Sequence, residues 1–241
     1  MMTIDIKNKL LLMVIVSICL TICSCSDDEN DSQEIVPPTS TGEFVDSRDG
    51  EVYHWVEYDG LQWMTENFRY DILSYANCRN YIDEQDWVDY APEQHATRNR
   101  AKYGMYYTLE GALRACPEGW RLPSDEDWQR LEKAMGMSPN DAGRYDWREC
   151  NVKSMVSTKD RTTHLQLLLG GYITYHVYTN LRNGCRFKGA WGFYWTSTKD
   201  PEKEGDFYIY RKVAYNRDEV CRQSMEPVNQ LLSVRYVRDA R

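Results

Sequence analysis

The chain has no Cys-x-x-Cys pair and no His-Glu-x-x-His, and its four histidines, His54, His95, His164 and His176, lie scattered with no two at ligand spacing. A thioredoxin-type redox site and a zinc site therefore have no support in the sequence. Acidic stretches at Asp83 to Asp89, Asp125 to Asp127 and Asp200 to Asp206 carry oxygen ligands, but none has the EF-hand loop pattern. The apolar run Leu10 to Leu20 falls short of the roughly 20 residues that a spanning helix needs. A permanent transmembrane helix is not expected on that ground. No repeat and no second linker divides residues 42–241, so one domain with a sizeable core is expected. The formal charge of −8 makes nucleic acid and anionic lipid poor partners.

What is present begins with an N-terminus ordered as a secretory signal. Lys7 and Lys9 precede the apolar run, and Thr21 and Ser24 follow it. Ile22-Cys23-Ser24-Cys25 resembles the lipobox of bacterial lipoproteins, in which a small residue precedes the lipidated cysteine. Cys25 follows Ser24 whereas Cys23 follows bulky Ile22, so Cys25 is the expected site of palmitate-type acylation and of attachment to a membrane. Residues 1–24 are then a cleaved signal peptide, and their removal takes away Lys7, Lys9 and Asp5, leaving the mature chain one unit more acidic. Residues 25–42, with Ser26-Asp27-Asp28-Glu29-Asn30-Asp31 and then a Pro/Ser/Thr-rich stretch, form an acidic flexible tether. Such a run resembles the signal that sends lipoproteins of the Bacteroidetes to the outer face of the outer membrane. The expected location is the cell surface, and Ser26 in place of aspartate agrees with outer-membrane sorting.

Beyond the tether, eight tryptophans and 18 tyrosines are too many for a disordered chain and suit binding surfaces, with an apolar body and a polar tip. Asp49-Gly50 and Asp59-Gly60 punctuate strand-like runs and predict hairpin turns. Residues 66–102 are polar and weakly periodic, and read as a long surface excursion. A helix is expected from Thr108 to Ala115, stopped by Pro117 and Gly119. A second starts at Ser124, with Asp127 completing a capping box, Trp128, Leu131 and Met135 on one face, and Gly136 as the stop. Leu165 to Tyr178 reads as a core strand interrupted by Gly170-Gly171. Aromatic stretches at Trp191 to Thr196, Phe207 to Tyr210 and Leu231 to Val237 add an antiparallel sheet. The class is α+β, with two helices, a twisted sheet and long loops.

Several segments together resemble the Fibrobacter succinogenes major paralogous domain over residues 43–241. They are Asp46-Ser-Arg-Asp-Gly50 with Tyr53, Gln62-Trp-Met-Thr-Glu-Asn67, Tyr103-Gly-Met-Tyr-Tyr107, Cys116-Pro-Glu-Gly-Trp-Arg-Leu-Pro-Ser124 running into Trp128, Gly192-Phe-Tyr-Trp-Thr-Ser-Thr198 and Ser233-Val-Arg-Tyr-Val-Arg-Asp239. The resemblance implies a C-type-lectin-like fold, distantly akin to the formylglycine-generating enzyme domain. It also implies a disulfide between the first helix and the final strand. The family usually closes with Ser-Val-Arg-Cys where this chain has Tyr236, so Cys116 loses that partner. With Cys25 acylated, Cys78, Cys116, Cys150, Cys185 and Cys221 make an odd set whose pairing spacing does not decide. Cys221 is the first candidate to bridge Cys116.

Enzymatic carry-over fails, because the formylglycine-generating relatives hold their metal with a close cysteine pair and Cys185 and Cys221 lie far apart. Cys116 has no histidine near it in sequence and reads as structural. No catalytic residue, metal or cofactor is assigned. Trp191, Tyr194 and Trp195 read as core filling. Trp87 and Trp147 stand in polar loops and are the candidate ligand contacts. The expected function is a surface-anchored, non-enzymatic, lectin-like domain binding a glycan or protein. The alternatives are an enzyme of the formylglycine-generating superfamily and a structural subunit of a surface assembly.

Overall fold

The structure, a computed structural model, describes residues 35–74, 77–79, 92–156, 164–174 and 184–240. Residues 1–24, Cys25, most of the tether and Trp87 lie outside them. Residues 34–241 form one compact unit. The architecture is α+β, and among the described residues no helix is long and apolar enough to cross a membrane.

Strands β1 (Ser40–Val45), β2 (Val52–Tyr58) and β3 (Leu61–Met64) form an antiparallel meander. The β2–β3 turn is the expected Asp-Gly pair, with Asp59 and Gly60 both at positive φ (48° and 71°). Those angles match the right-handed twist of the strands they join. After β4 (Cys78–Arg79) comes a helix the sequence did not suggest, α1 (Pro92–Tyr103). Its sequence is mostly polar and has no apolar stripe from which to read a helical period.

Strand β5 (Tyr106–Tyr107) leads into α2 (Leu109–Ala115), whose N-cap Thr108 accepts from Gly111 N at 3.0 Å. Helix α3 (Asp125–Ala134) carries the expected capping box: Asp127 N donates to Ser124 Oγ at 3.1 Å, and Ser124 N donates to an Asp127 carboxylate oxygen at 2.7 Å. Trp128, Leu131 and Met135 are buried, as their spacing requires.

The remaining strands are β6 (Asp146–Glu149), β7 (Tyr172–Thr174), β8 (Gly184–Arg186), β9 (Trp191–Lys199), β10 (Tyr208–Ala214), β11 (Glu219–Met225), β12 (Gln230–Leu231) and β13 (Val237–Asp239). They complete sheets of order β1-β2-β3-β13, β6-β11-β10-β9 and β12-β7-β8. The single strand expected over Leu165 to Tyr178 is corrected within the described residues: Leu165, Leu167 and Leu168 are buried in irregular chain, and regular strand begins only at Tyr172. Gly171 turns the chain at φ 72°, and a Cβ there would lie 2.0 Å from Arg186 O. The inner face of β6-β11-β10-β9 packs on α3 through Tyr194, Val213 and Val220. Its other face carries Phe193, Trp195 and Tyr210 into a second cluster with α2 and the first sheet.

Candidate functional site

The segments that carry the family resemblance hold the fold together. Asn67 Nδ2 donates to Tyr103 O at 2.8 Å and to Ser233 Oγ at 3.1 Å, while its Oδ1 accepts from Arg235 Nε at 2.7 Å. One amide thus joins three of the motif segments. Arg235 is fully buried and its other nitrogens donate to the carbonyls of Met64 and Gln166. Trp195 Nε1 donates to Tyr107 O at 2.8 Å, and Tyr194 OH to Leu168 O at 2.7 Å. Both rings are fully buried, so these residues are core, as read from the sequence.

Beneath α3 lies a second locked region. Glu132 is fully buried and accepts from both terminal nitrogens of Arg148 and from Arg211 Nε at 2.6 Å. Asp125 accepts from both Nε and Nη2 of Arg222 and pairs with Arg211 at 2.7 Å. Burial pushes the Asp125 carboxyl up, but the Arg222 hydrogen bond and the Arg211 charge outweigh it and hold the group below the usual carboxylate range. Both aspartates of the stretch Asp125 to Asp127 are thereby committed to arginines, Asp127 being bound by Arg121, while Glu126 between them is exposed. In the third stretch Asp200 accepts from Tyr145 OH at 2.5 Å and Asp206 pairs with Lys199, while Asp83 to Asp89 lie outside the described residues.

The cysteines are free thiols wherever their side chains are described, at 78, 116, 150 and 221. The expected Cys116–Cys221 bridge is therefore corrected. Cys116 packs at the end of α2 and donates to Trp120 O at 3.2 Å, whereas Cys221 sits in β11 between Trp147 and Lys212. Tyr236 occupies the position of the missing cysteine. Its ring fills the second cluster and its hydroxyl donates to Ala112 O at 2.5 Å, tying α2 to the chain end without a disulfide. Burial pushes the thiols up, Cys116 and Cys221 to about 11, Cys78 and Cys150 to about 12. Protonated at neutral pH, they are poor nucleophiles and poor metal ligands.

Bordering the second cluster, on the same face of the second sheet, is a strip of partly exposed rings. Register places Trp147, Cys221, Lys212 and Phe193 in one row across its four strands. Because side chains on one face recur every second residue, Trp191 falls on the same side as Phe193. The Lys212 ammonium lies 4.8 Å from the Trp147 ring centre and 4.9 Å from that of Trp191, and the Arg217 guanidinium lies 4.5 Å from Trp147. Phe187 stacks on Trp191 at 4.3 Å and 18°, and Tyr172 continues the series at 6.1 Å from Phe187. Phe187 is 42 % exposed, and Trp147, Trp191 and Tyr172 are half-buried.

Phe187 holds φ 62°, a left-handed backbone that costs a bulky residue about 1–2 kcal/mol. Strain of this kind persists where the surroundings over-determine it, and here it seats the ring on Trp191. Of the two tryptophans singled out from the sequence, Trp87 lies outside the described residues, and Trp147 belongs to this strip but stands in strand β6 rather than in the expected polar loop. The strip's other members are Lys212 and Phe187, which sequence reasoning missed, and Trp191, which was read as core and is half-buried against the second cluster. Alternation along β10 puts Tyr208, Tyr210 and Lys212 on one face, but only cross-strand register brings Lys212 beside Trp147.

The Fibrobacter succinogenes major domain matches residues 56–238, from within β2 to within β13. No curated protein and no solved structure matches the chain. The family match spans most of the sequence and takes in the Asn67–Arg235 lock, both capped helices and the ring strip. The chain belongs to the Fibrobacter succinogenes major domain family.

Proposed function

We propose that the protein is a lipid-anchored lipoprotein of the outer membrane whose lectin-like domain binds a ligand at the cell surface without converting it. The contact face is the strip of Trp147, Trp191, Phe187 and Tyr172. One observation carries the reading: Trp147 and Trp191 of the second sheet, Phe187 just after β8 and Tyr172 of β7 form a run of rings partly open to solvent, with Phe187 held in a strained backbone. Aromatic residues that combine an apolar body with partial exposure mark recognition surfaces. The lectin-like comparison rests on the family resemblance, a fold-level analogy. Two capped helices followed by antiparallel strands are compatible with it. The raised thiol pKa values argue against a cysteine-based enzyme. The anchor rests on the order of signal, Ser24 and Cys25 in the sequence.

The test is the full chain and its Trp147→Ala and Trp191→Ala variants on glycan and protein arrays. Binding should fall tenfold or more in the variants while the unfolding midpoint shifts little for the half-buried Trp147. Blank arrays, or variants that bind as the parent does, would overturn the reading. Cys25→Ala should leave the membrane fraction or remain unprocessed, and normal processing and fractionation of that variant would refute the anchor.

A further inference from the structure

The first sheet carries a group of polar side chains that the ring strip does not use. Glu43 of β1 and His54 of β2 stand directly opposite each other in register, both open to solvent. The His54 ring is aimed by Glu66, just beyond the end of β3. Glu66 Oε1 lies 2.6 Å from His54 Nδ1, and Oε2 accepts from His54 N at 2.9 Å and from Thr65 Oγ1 at 3.1 Å. An ionised carboxylate only accepts, so a neutral ring here carries its N–H on Nδ1 and keeps its lone pair on Nε2. Histidines that ligate metals are supported in this way, by a carboxylate on the other ring nitrogen.

Nε2 lies 3.4 Å from Glu43 Oε1. That is longer than the roughly 2.7–3.2 Å of an N–H···O hydrogen bond. It matches the spacing of two neighbouring ligands on one tetrahedral ion, since bonds of about 2.0–2.2 Å at the tetrahedral angle set their atoms about 3.4 Å apart. Glu43 is fixed at its backbone, where its carbonyl accepts from Trp55 Nε1 at 3.2 Å. Charge points the same way. Among the described residues Glu43 and Glu66 make ion-pair contacts with this ring alone, while Arg69, which lines the same cleft as Glu66, is bound to Glu51 at 2.8 Å. Around a neutral ring the two carboxylates leave two negative charges, which a divalent cation balances. Imidazole with carboxylate suits Zn²⁺ and its transition-metal neighbours, whereas Ca²⁺ and Mg²⁺ take oxygen ligands. No three metal-ligating side chains converge among the described residues, so the chain supplies two ligands and one supporting carboxylate, and water completes the shell.

We infer that Glu43 and His54 bind a divalent transition-metal ion of the zinc type, with His54 Nε2 and a Glu43 carboxylate oxygen as ligands and Glu66 orienting the ring. The site is separate from the ring strip, and neither depends on the other. The experiment titrates the full chain in detergent with zinc sulfate by calorimetry, and with Cu²⁺ followed by electron paramagnetic resonance. His54→Ala and Glu43→Gln should each weaken one saturable equivalent of Zn²⁺ at least tenfold, while zinc held elsewhere on the chain persists in both. The bound Cu²⁺ spectrum should show one imidazole nitrogen that His54→Ala removes. Zn²⁺ should raise the unfolding midpoint of the parent and not that of His54→Ala, since a ligand held only by the folded state stabilises it. Glu66→Gln can donate to Nδ1 and so moves the ring proton to Nε2. It should weaken Zn²⁺ by about 10–100-fold, as the loss of a supporting carboxylate does, although Glu66 is not a ligand.

Zinc binding by His54→Ala as tight as that of the parent would overturn the site, as would an absence of saturable binding at millimolar zinc. Displacement of Zn²⁺ by an equal concentration of Mg²⁺ would show that carboxylates alone hold the cation, and would overturn the role of the ring. If Glu66→Gln binds Zn²⁺ as the parent does, Glu66 does not orient His54, and the contact at 3.4 Å is an ion pair of the sheet surface.

Discussion

Glu132 shows what single residues do in this fold. It lies on the face of α3 that points into the protein, and it is fully buried with Arg148 and Arg211 on its carboxylate. Two arginines under a helix are tolerable only because Glu132, with Asp125 beside it, matches their charge and their donors. Buried pairs gain little net energy when intact, but removing one partner strands the other and costs about 3–5 kcal/mol. Glu132→Gln keeps the size and loses the charge, so urea unfolding should show a loss in that range. A loss under about 1 kcal/mol would mean the arginines find water or new partners, contrary to their burial. Tyr236 makes the same point with a neutral group. Where relatives place a cysteine, its hydroxyl bonds Ala112 O, so Tyr236→Phe should cost about 1–2 kcal/mol by leaving that contact unmade. Unchanged stability in thermal unfolding would refute it.

Among the elements, those with a local cause were legible. The Asp59-Gly60 turn and the caps at Thr108 and Ser124 depend on a few consecutive residues, and the apolar face of α3 repeats with the helical period. The helix Pro92–Tyr103 was not legible, because its sequence has no stripe to reveal a period. Nor was the break in the run from Leu165, where apolar residues continue but Gly171 bends the chain against the 186–188 backbone. The ring strip was half legible. Trp147 stood out as a tryptophan in polar sequence, while Lys212 acquires meaning only through cross-strand pairing and Phe187 only through the turn that stacks it on Trp191.

Gly171 tests that account of the elements. Its φ of 72° is close to the 77° of Gly119, but a Cβ at Gly119 meets nothing within 4 Å while one at Gly171 meets Arg186 O at 2.0 Å. Alanine at Gly119 should therefore cost only the left-handed penalty of about 1–2 kcal/mol. Gly171→Ala should cost clearly more and should also shift the fluorescence of Trp191, since Phe187 rides on the displaced segment. Equal costs at the two positions would show that the close approach is not real.

At the scale of the whole molecule, the chain is acidic yet internally neutralised, and this sets its response to pH. Asp46, Asp125, Asp127 and Asp200 are all held below the usual carboxylate range. In each, burial pushes upward and is outweighed by hydrogen bonds, from Arg48 for Asp46, Arg222 for Asp125, Arg121 for Asp127, and Tyr145 with the Glu202 amide for Asp200. A group whose folded pKa is depressed contributes stability above its unfolded pKa of about 3.9 and loses it as pH falls through the folded value. Stability should accordingly be level from neutral pH to about 5 and fall below about 4, as protonation releases Arg211 and Arg222 from Asp125 in the interior. Asp125→Asn should be less stable at pH 7 and should show a shallower fall in acid, because its share of the linkage is already lost. Chemical denaturation at a series of pH values reads both effects. If the parent keeps its full stability at pH 3, or if Asp125→Asn follows the same acid slope as the parent, the carboxylates under α3 do not carry the coupling assigned to them.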